Sequence, residues 1–280
     1  MGLGGYLTWT AVAREIRKQA KDAKMFPVEL KGHFLKIIDS EVFHNNPDFL
    51  SYTSSDYKDQ LVFPLMLNSP AANYCKKDTP ERAYHRGDSH IISQICEIFG
   101  IENPELKCVL NLTQEEKLFA ENFQESIDGD RFITIEPFSK DNYTPNRAYP
   151  FEKWQNVVDI LSREINVVQV GNPGKVLNNT INMTGNTTFR EAISIIERSD
   201  MFLASESGLV HGATAVDTKS IVIITGYQDH RMVAYPQNIN INIGTHGPCG
   251  LKIPCEKCIE DATSHDEHSI VDIVKKELCL

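Results

Sequence analysis

Residues 199–226, SDMFLASESGLVHGATAVDTKSIVIITG, decide the fold. An apolar run at 201–204 leads into a polar elbow, Ser205-Glu206-Ser207-Gly208. A helical segment at 209–216, a turn at Asp217-Thr218-Lys219 and a β-branched run at 221–225 follow. Together these predict one strand–helix–strand unit. The strand ends where the helix begins, so the N–H groups of Ser207, Gly208 and Leu209 have no carbonyl one turn earlier to bond, and the helix dipole adds positive character there. The elbow is therefore an anion site, and Gly208 lets a ligand approach the backbone.

Outward from this unit, the preceding residues repeat the pattern. Residues 132–137 (FITIEP) read as a strand, 138–147 as a polar loop and Pro150 as a helix opener. The segment 151–165 is a helix with Trp154, Val157, Val158 and Leu161 on its apolar face. Residues 166–170 form the next strand, which stops at Gly171-Asn172-Pro173-Gly174, and Thr187 or Thr188 caps a helix over Phe189–Arg198. Such βαβα alternation predicts a parallel sheet with helices on both faces and a ligand site beyond the carboxyl ends of its strands. The loops at 138–147, 171–175, 185–188 and 205–209 then converge on one cleft.

The first half is less regular. It opens MGLGGY, then gives a helical pattern over 7–21 through Trp9, Val12, Ala13 and Ile16. A glycine turn entering a helix is a phosphate-type loop, or else an ordinary unstructured N-terminus. Loops of this kind follow a buried strand, so the N-terminal domain is expected to lack its first strand. Short strands are predicted at 35–38 and 60–65, a helix at 89–99 ending at Gly100, and a helix at 114–126 capped by Thr113. His44, Asp56, His85, Asp88 and His90 are candidate site groups, each with a solvated loop role as the alternative. The polar segment 125–131, with Asp128-Gly129-Asp130, marks a boundary. The division is 1–126, 127–245 and a Cys-rich tail at 246–280.

At 280 residues and 41% hydrophobic, the chain has material for two cores. Its formal charge of −10 argues against a general nucleic-acid or anionic-membrane surface. No apolar run approaches the roughly 20 residues of a spanning helix, and no signal peptide is legible, so a cytoplasmic location is expected. Seven cysteines, an odd number, read as reduced thiols or metal ligands. Cys249, Cys255, Cys258 and Cys279 concentrate four of them near the end, and a Cys-x2-Cys pair chelates one soft-ligated ion such as Zn or Fe. His246, His265 and His268 are substitutes for Cys279.

The strand ending in Pro137, the loop carrying Arg147 before Tyr149-Pro150-x-x-x-Trp154, VVQVGNPG (167–174), TGNTTFREAISII (184–196) and SESGLVHGATAV (205–216) together resemble the bacterial heptosyltransferases, including those acting on autotransporters. The resemblance is good over 133–231 and weak over 2–14. It implies an α/β, GT-B architecture of two Rossmann-like domains facing a cleft: an acceptor side at 1–126 and a nucleotide-sugar donor side at 127–245. The implied reaction moves a heptose-like sugar from a nucleoside-diphosphate donor, similar to ADP-heptose, to a glycan or protein hydroxyl with inversion. It leaves room for a homo-oligomer.

Carried over position by position, the resemblance puts Glu206 near donor sugar or ribose hydroxyls and Arg147 on the leaving diphosphate as the catalytic pair. Ser139, Gly171, Thr187, Thr188, Ser207, Gly208, Leu209, His211 and Arg231 then line the donor, with Asp229 beside Arg231. Helix capping by the threonines, a His211 satisfied within the fold and a surface Asp229–Arg231 pair are the competing readings. Gly4 and Gly5 occupy the acceptor-side loop. There the family usually carries an Asp that acts as general base, and Gly5 stands at that position. Another carboxylate, such as Asp56 or Asp88, takes over, or the acceptor is activated differently, or the chain binds nucleotide sugars or glycans without turning them over. A nucleotide-sugar epimerase or dehydrogenase would need a Gly-x-Gly-x-x-Gly loop that the opening glycines do not supply. The resemblance also implies a C-terminal cysteine-bound iron finger.

Overall fold

The computed structural model describes residues 2–50, 61–72, 74–127, 129, 131–138 and 143–280. In chain order the elements of the first half are α1 (Leu3–Gln19), β1 (Ala23–Lys31), β2 (Phe34–Ile37), β3 (Leu61–Met66), β4 (Cys75–Thr79), β5 (Arg82–His85), α2 (Ile91–Cys96) and α3 (Gln114–Ser126). The second half runs β6 (Phe132–Glu136), α4 (Phe151–Leu161), β7 (Asn166–Gln169), β8 (Ile181–Asn182), α5 (Phe189–Arg198), β9 (Met201–Ser205), α6 (Gly208–Ala215), β10 (Ser220–Ile224), α7 (His230–Val233), β11 (Ile239–Asn242), α8 (Glu256–Ser264) and α9 (His268–Leu278).

Among the described residues, the main sheet has the order β11-β10-β9-β6-β7-β8 with every pairing parallel. This is the doubly wound arrangement: the chain runs outward from β6 to β8, returns to the middle at β9 and runs outward the other way to β11. Its β-branched strands alternate between two cores, as a sheet buried on both faces must. Phe132, Val168, Phe202, Ala204, Val222 and Ile224 face α1, α5, α6 and the first half of the chain. Ile133, Ile135, Val167, Met201, Leu203, Ile221 and Ile223 face α4 and α9 through Trp154, Val158, Ile270 and Val274.

The first half contributes a small sheet, β2-β1-β3, and the hairpin β4-β5. Two of its elements were not legible. β1 contains Pro27, which argues against a central strand; it is tolerated because the β2 ladder begins only at Val28↔Ile37. The hairpin β4-β5 is charged and wholly unlike a buried strand, and it is held from outside: Ala83 N–H donates to Gly250 (2.8 Å) and Lys252 N–H to Glu81 (2.7 Å). The capped helices are as read. Thr113 with Glu116 and Thr188 with Glu191 each form a full capping box at the start of α3 and α5.

The opening glycines correct an expectation. They form the first turn of α1, which starts at Leu3, not a loop before a helix at residue 7. The cause is packing: a Cβ on Gly4 would stand 2.8 Å from the Gly208 Cα and 2.9 Å from the His211 ring, so the glycine allows α1 to sit directly on α6. Among the described residues no helix is long and apolar enough to cross a membrane.

Candidate functional site

The reversal of strand order lies between β6 and β9, and in such sheets the ligand crevice opens beyond the carboxyl ends of those two strands. Both ends carry acids. β6 ends at Glu136, which is buried, and β9 runs into Glu206, also buried. The Ser207 hydroxyl donates to Glu136 across the switch point. With its side chain so engaged, Ser207 leaves α6 without a side-chain cap, and α1 has none at Gly2 either. Two uncapped helix N-termini therefore meet where Gly4 touches Gly208.

Arg147 closes a short 3-10 turn at Pro145–Arg147 and pairs with the Glu206 carboxylate. The other Glu206 oxygen accepts from Gln228 Nε2 at 2.5 Å. The guanidinium stands against the Tyr143 and Tyr227 rings, 5.6 and 6.0 Å from their centroids, and its buried Nε lacks a partner among the described residues. An unpaired, buried N–H on a permanent cation is an anion donor without its acceptor. Burial pushes the Glu136 carboxyl up to about 8, against the Ser207 hydrogen bond and the Arg147 charge, so near neutrality it carries a proton. Gly171, at φ +111°, brings its backbone to Glu136: a Cβ there would lie 3.2 Å from the Glu136 side chain.

The fold thus gathers Arg147, Glu206, Ser207, Gly208 and Gly171 in one place, with Gly4 pressed on it from α1. Sequence reading missed Glu136, Gln228, Tyr143 and Tyr227. Glu136 was the accessible one, since a carboxylate closing the first strand of the large sheet stands at the switch point by topology alone.

Other predicted residues lie elsewhere. The Leu209 side chain is buried at 3% exposure in the core, so only its backbone N–H, in the first turn of α6, stays at the elbow. His211 hands Nδ1 to the Tyr235 hydroxyl (2.6 Å), which also meets the Cys108 thiol (3.3 Å), and burial pushes its pKa down to about 3. It is a neutral histidine satisfied within the fold. Thr188 is exposed and occupied as the α5 cap, and Thr187 is half-buried beside it. Arg231 is exposed and held by both Asp229 oxygens, a surface pair. Ser139 and Asp56 lie outside the described residues. Gly5 sits inside the first turn of α1. Asp88 is gripped by Arg86 at 3.0 and 2.6 Å, which holds its carboxyl below the usual range, a poor setting for a base. His44 pairs with Asp39 at the surface. His90 caps α2 through the Ile92 N–H. His85 packs edge-on to Tyr227 (5.3 Å), with burial, then the Arg147 and Lys252 charges, lowering it to about 4.

A second constellation lies at the same end of the sheet. His246, Cys249, Cys255 and Cys258 bring one ligand atom each to within 4.8 Å of one another. Cys249 and Cys258 sulfurs are 3.5 Å apart, and His246 Nε2 lies 3.6 Å from Cys258 and 3.8 Å from Cys255. Tetrahedral bonds of about 2.3 Å to sulfur and 2.0 Å to nitrogen give ligand–ligand edges of roughly 3.5–3.8 Å, so the donor set fits one ion. Asp261 receives His246 Nδ1 at 3.0 Å and thereby presents Nε2 to the thiols. A hydrogen bond from Cys258 draws the Cys249 thiol below its usual range. Cys279, expected as the fourth ligand, is not among them: it is exposed at the C-cap of α9. His246 takes the place because the chain after β11 turns back over Gly226, where a Cβ would stand 2.7 Å from the imidazole. His265 bonds Tyr149 (2.8 Å) and His268 bonds Asp266 (3.2 Å), both away from the cluster.

A family model for glycosyltransferase family 9 (heptosyltransferase) matches residues 85–262, more than half of the chain. Among proteins of curated function none matches in sequence. Among solved structures, the glycosyl transferase family 9 protein from Veillonella parvula DSM 2008 gives a TM-score of 0.71 at 15% identity, covering 100% of this chain and 95% of that one. The iron-containing dodecameric glycosyltransferase TibC from enterotoxigenic E. coli H10407 gives 0.68 at 13%, covering 99% and 74%. TibC has also been solved in complex with ADP-D-beta-D-heptose. The E. coli ADP-heptose lps heptosyltransferase II gives 0.53 at 15%, covering 68% and 62%. The fold shared with these proteins is α/β and GT-B-like.

Proposed function

The chain belongs to glycosyltransferase family 9, and from that premise we propose that it takes a heptose-like sugar from a nucleoside-diphosphate donor and passes it, with inversion, to a hydroxyl of a glycan or protein. One observation carries this reading: Arg147, with an unpaired buried Nε, stands with Glu206 at the β6/β9 switch point beside two uncapped helix N-termini.

The acceptor hydroxyl oxygen attacks the anomeric carbon and gives its proton to water as the bond to the diphosphate oxygen breaks, and the charge that develops on the leaving diphosphate falls on Arg147 and the backbone of 207–209. Glu206, an acceptor on both oxygens, suits sugar or ribose hydroxyls. Protonated Glu136 donates or stays silent near neutrality and adds no negative charge beside the phosphates. Residues 127–245 hold the donor, 1–126 provide the acceptor side, and the tail at 246–280 carries a structural Zn or Fe on His246, Cys249, Cys255 and Cys258. That TibC is iron-containing and dodecameric supports a tail of this kind and assembly of several copies here.

A second reading, donor binding without turnover, is favoured by two observations: Gly5 lies within a helix turn, and Asp88 is locked by Arg86. Calorimetric titration of the folded full chain with ADP, GDP and UDP separates the possibilities. Binding of at least one is expected, and no binding of any removes the donor assignment. Release of nucleoside diphosphate from ADP-heptose with a hydroxyl acceptor then distinguishes turnover from binding alone.

A further inference from the structure

We propose that the Cys/His cluster and the Arg147–Glu206 pair form one coupled unit, with Asn146 as the positioning residue between them. The inference rests on the reading above, in which the pair holds a nucleoside diphosphate and the cluster a metal ion.

Asn146 is 2% exposed, and its side chain is spent entirely on the loop that carries the cysteines. Its Nδ2 donates to the carbonyls of Leu251 (2.7 Å) and Ile253 (2.8 Å), and its Oδ1 accepts the Cys255 N–H (2.8 Å). Thr144 adds a hydroxyl bond to the same Leu251 carbonyl (2.7 Å) and receives the Asn146 N–H (3.2 Å). The next residue is Arg147. An amide is the one group of this size that serves two acceptors and one donor at once. An aspartate would set a carboxylate oxygen against two carbonyls, and an aliphatic residue would leave the Ile253 carbonyl and the Cys255 N–H without this partner.

A second path leads to the same carboxylate. The Cys249 N–H donates to Gly226 and the Gly250 N–H to Tyr227, each at 2.9 Å. The next residue, Gln228, donates to Glu206. Glu206 thus receives Arg147 on one oxygen and Gln228 on the other, and both partners adjoin residues bonded to the cysteine loop. An ion at the cluster fixes the loop, hence the Leu251 and Ile253 carbonyls, hence Asn146 and the donors around Glu206. Coupling of this kind is reciprocal: whatever the ion does for the nucleotide, the nucleotide does for the ion.

The test is a linkage cycle on the full chain. Zn2+ affinity is measured by competition against a chelator with and without saturating ADP, and the ADP Kd by calorimetry with and without Zn2+. Both are expected to tighten by the same factor, about 5- to 150-fold. In Asn146→Asp the factor is expected to fall below about twofold while ADP and Zn2+ each still bind alone, and Thr144→Ala, which removes a single bond to the loop, is expected to reduce it partially. Equal Zn2+ affinity with and without bound ADP in the wild type overturns the coupling. A factor undiminished in Asn146→Asp and Thr144→Ala overturns the assignment to this segment. Absence of any ADP or Zn2+ binding overturns the underlying reading of the sites, and this inference with it.

Discussion

The elbow after β9 and the Cys/His cluster share one end of the large sheet, yet they satisfy their polar groups in different ways. At the elbow the protein supplies both signs: Arg147 has Glu206, Glu206 has Gln228, and Glu136 has Ser207 and its own proton. At the cluster three sulfurs and one imidazole nitrogen converge with little but each other for company. An anion entering the elbow must exchange partners with a carboxylate already present, so its affinity is a difference between two good arrangements. An ion entering the cluster completes an arrangement that has no internal substitute. On the function proposed above, the elbow suits a ligand that comes and goes, and the cluster one that stays.

The largest expected effect breaks the cluster side of this contrast. Cys258→Ser removes the most buried ligand and is expected to abolish stoichiometric metal in elemental analysis. With it goes the stabilisation that a resident ion confers, about 4 kcal/mol at a thousandfold excess over Kd, visible as a lower thermal midpoint. Cys279→Ser should leave both unchanged; metal lost equally in the two variants would show that the cluster is not the binding site. The next effect falls on the elbow. Arg147→Ala is expected to lower kcat at saturating donor by roughly 10²- to 10³-fold, as loss of a preorganised leaving-group contact does. An unchanged kcat with raised KM would make Arg147 a contact of equal strength in the ground and transition states.

Glu136→Gln sharpens the comparison by testing whether the elbow carries its own proton. A carboxyl raised to about 8 in the folded chain and ordinary when unfolded binds more protons folded than unfolded across that interval. Its contribution is therefore full below about pH 4.5 and is lost as pH climbs through 8, at up to about 1.4 kcal/mol per pH unit. Glutamine keeps an acceptor for Ser207 and cannot ionise. Denaturant midpoints at pH 5 and pH 8 should show the wild type losing stability relative to Glu136→Gln as pH rises. Parallel midpoints would mean that Glu136 is ionised in the folded chain and that the elbow is more negative than described.

The same contrast explains what the sequence revealed. The cluster draws on thirteen consecutive residues, so Cys-x5-Cys-x2-Cys was visible as a pattern; the choice between His246 and Cys279 was not, because it depends on how the chain after β11 turns back over Gly226. The elbow draws on positions 136, 147, 171, 206–208 and 228. Its βαβ framework was legible from strand–helix alternation, and Arg147 and Glu206 were placed together only by resemblance. Gln228 and the tyrosines carried no local signal, since their roles arise from loops meeting across the sheet edge. His211 shows the reverse case: resemblance suggested a donor contact, with a histidine satisfied within the fold as the competing reading, and the Tyr235 hydroxyl that meets its Nδ1 comes from 24 residues away. The opening glycines looked like a phosphate loop because their use, close contact between α1 and α6, leaves no mark distinguishable from a turn.

Thr188 gives the smallest expected effect and tests where the elbow stops. Its hydroxyl accepts the Glu191 N–H at 3.2 Å while the Glu191 carboxylate takes the Thr188 N–H at 2.7 Å, so the residue is fully engaged at the start of α5. The cap alone makes Thr188→Ala cost about 1 kcal/mol of stability. If capping is its whole role, the ADP Kd of the variant should match the wild type, because α5 is anchored further along by Arg190 on Glu116 and by its buried apolar face. A tenfold weaker ADP with only the expected loss of stability would instead extend the nucleotide pocket from the β6/β9 crevice to the start of α5. The elbow would then share its ligand with a second helix terminus, and Thr188→Ser, which keeps the hydroxyl, should restore binding and cap together.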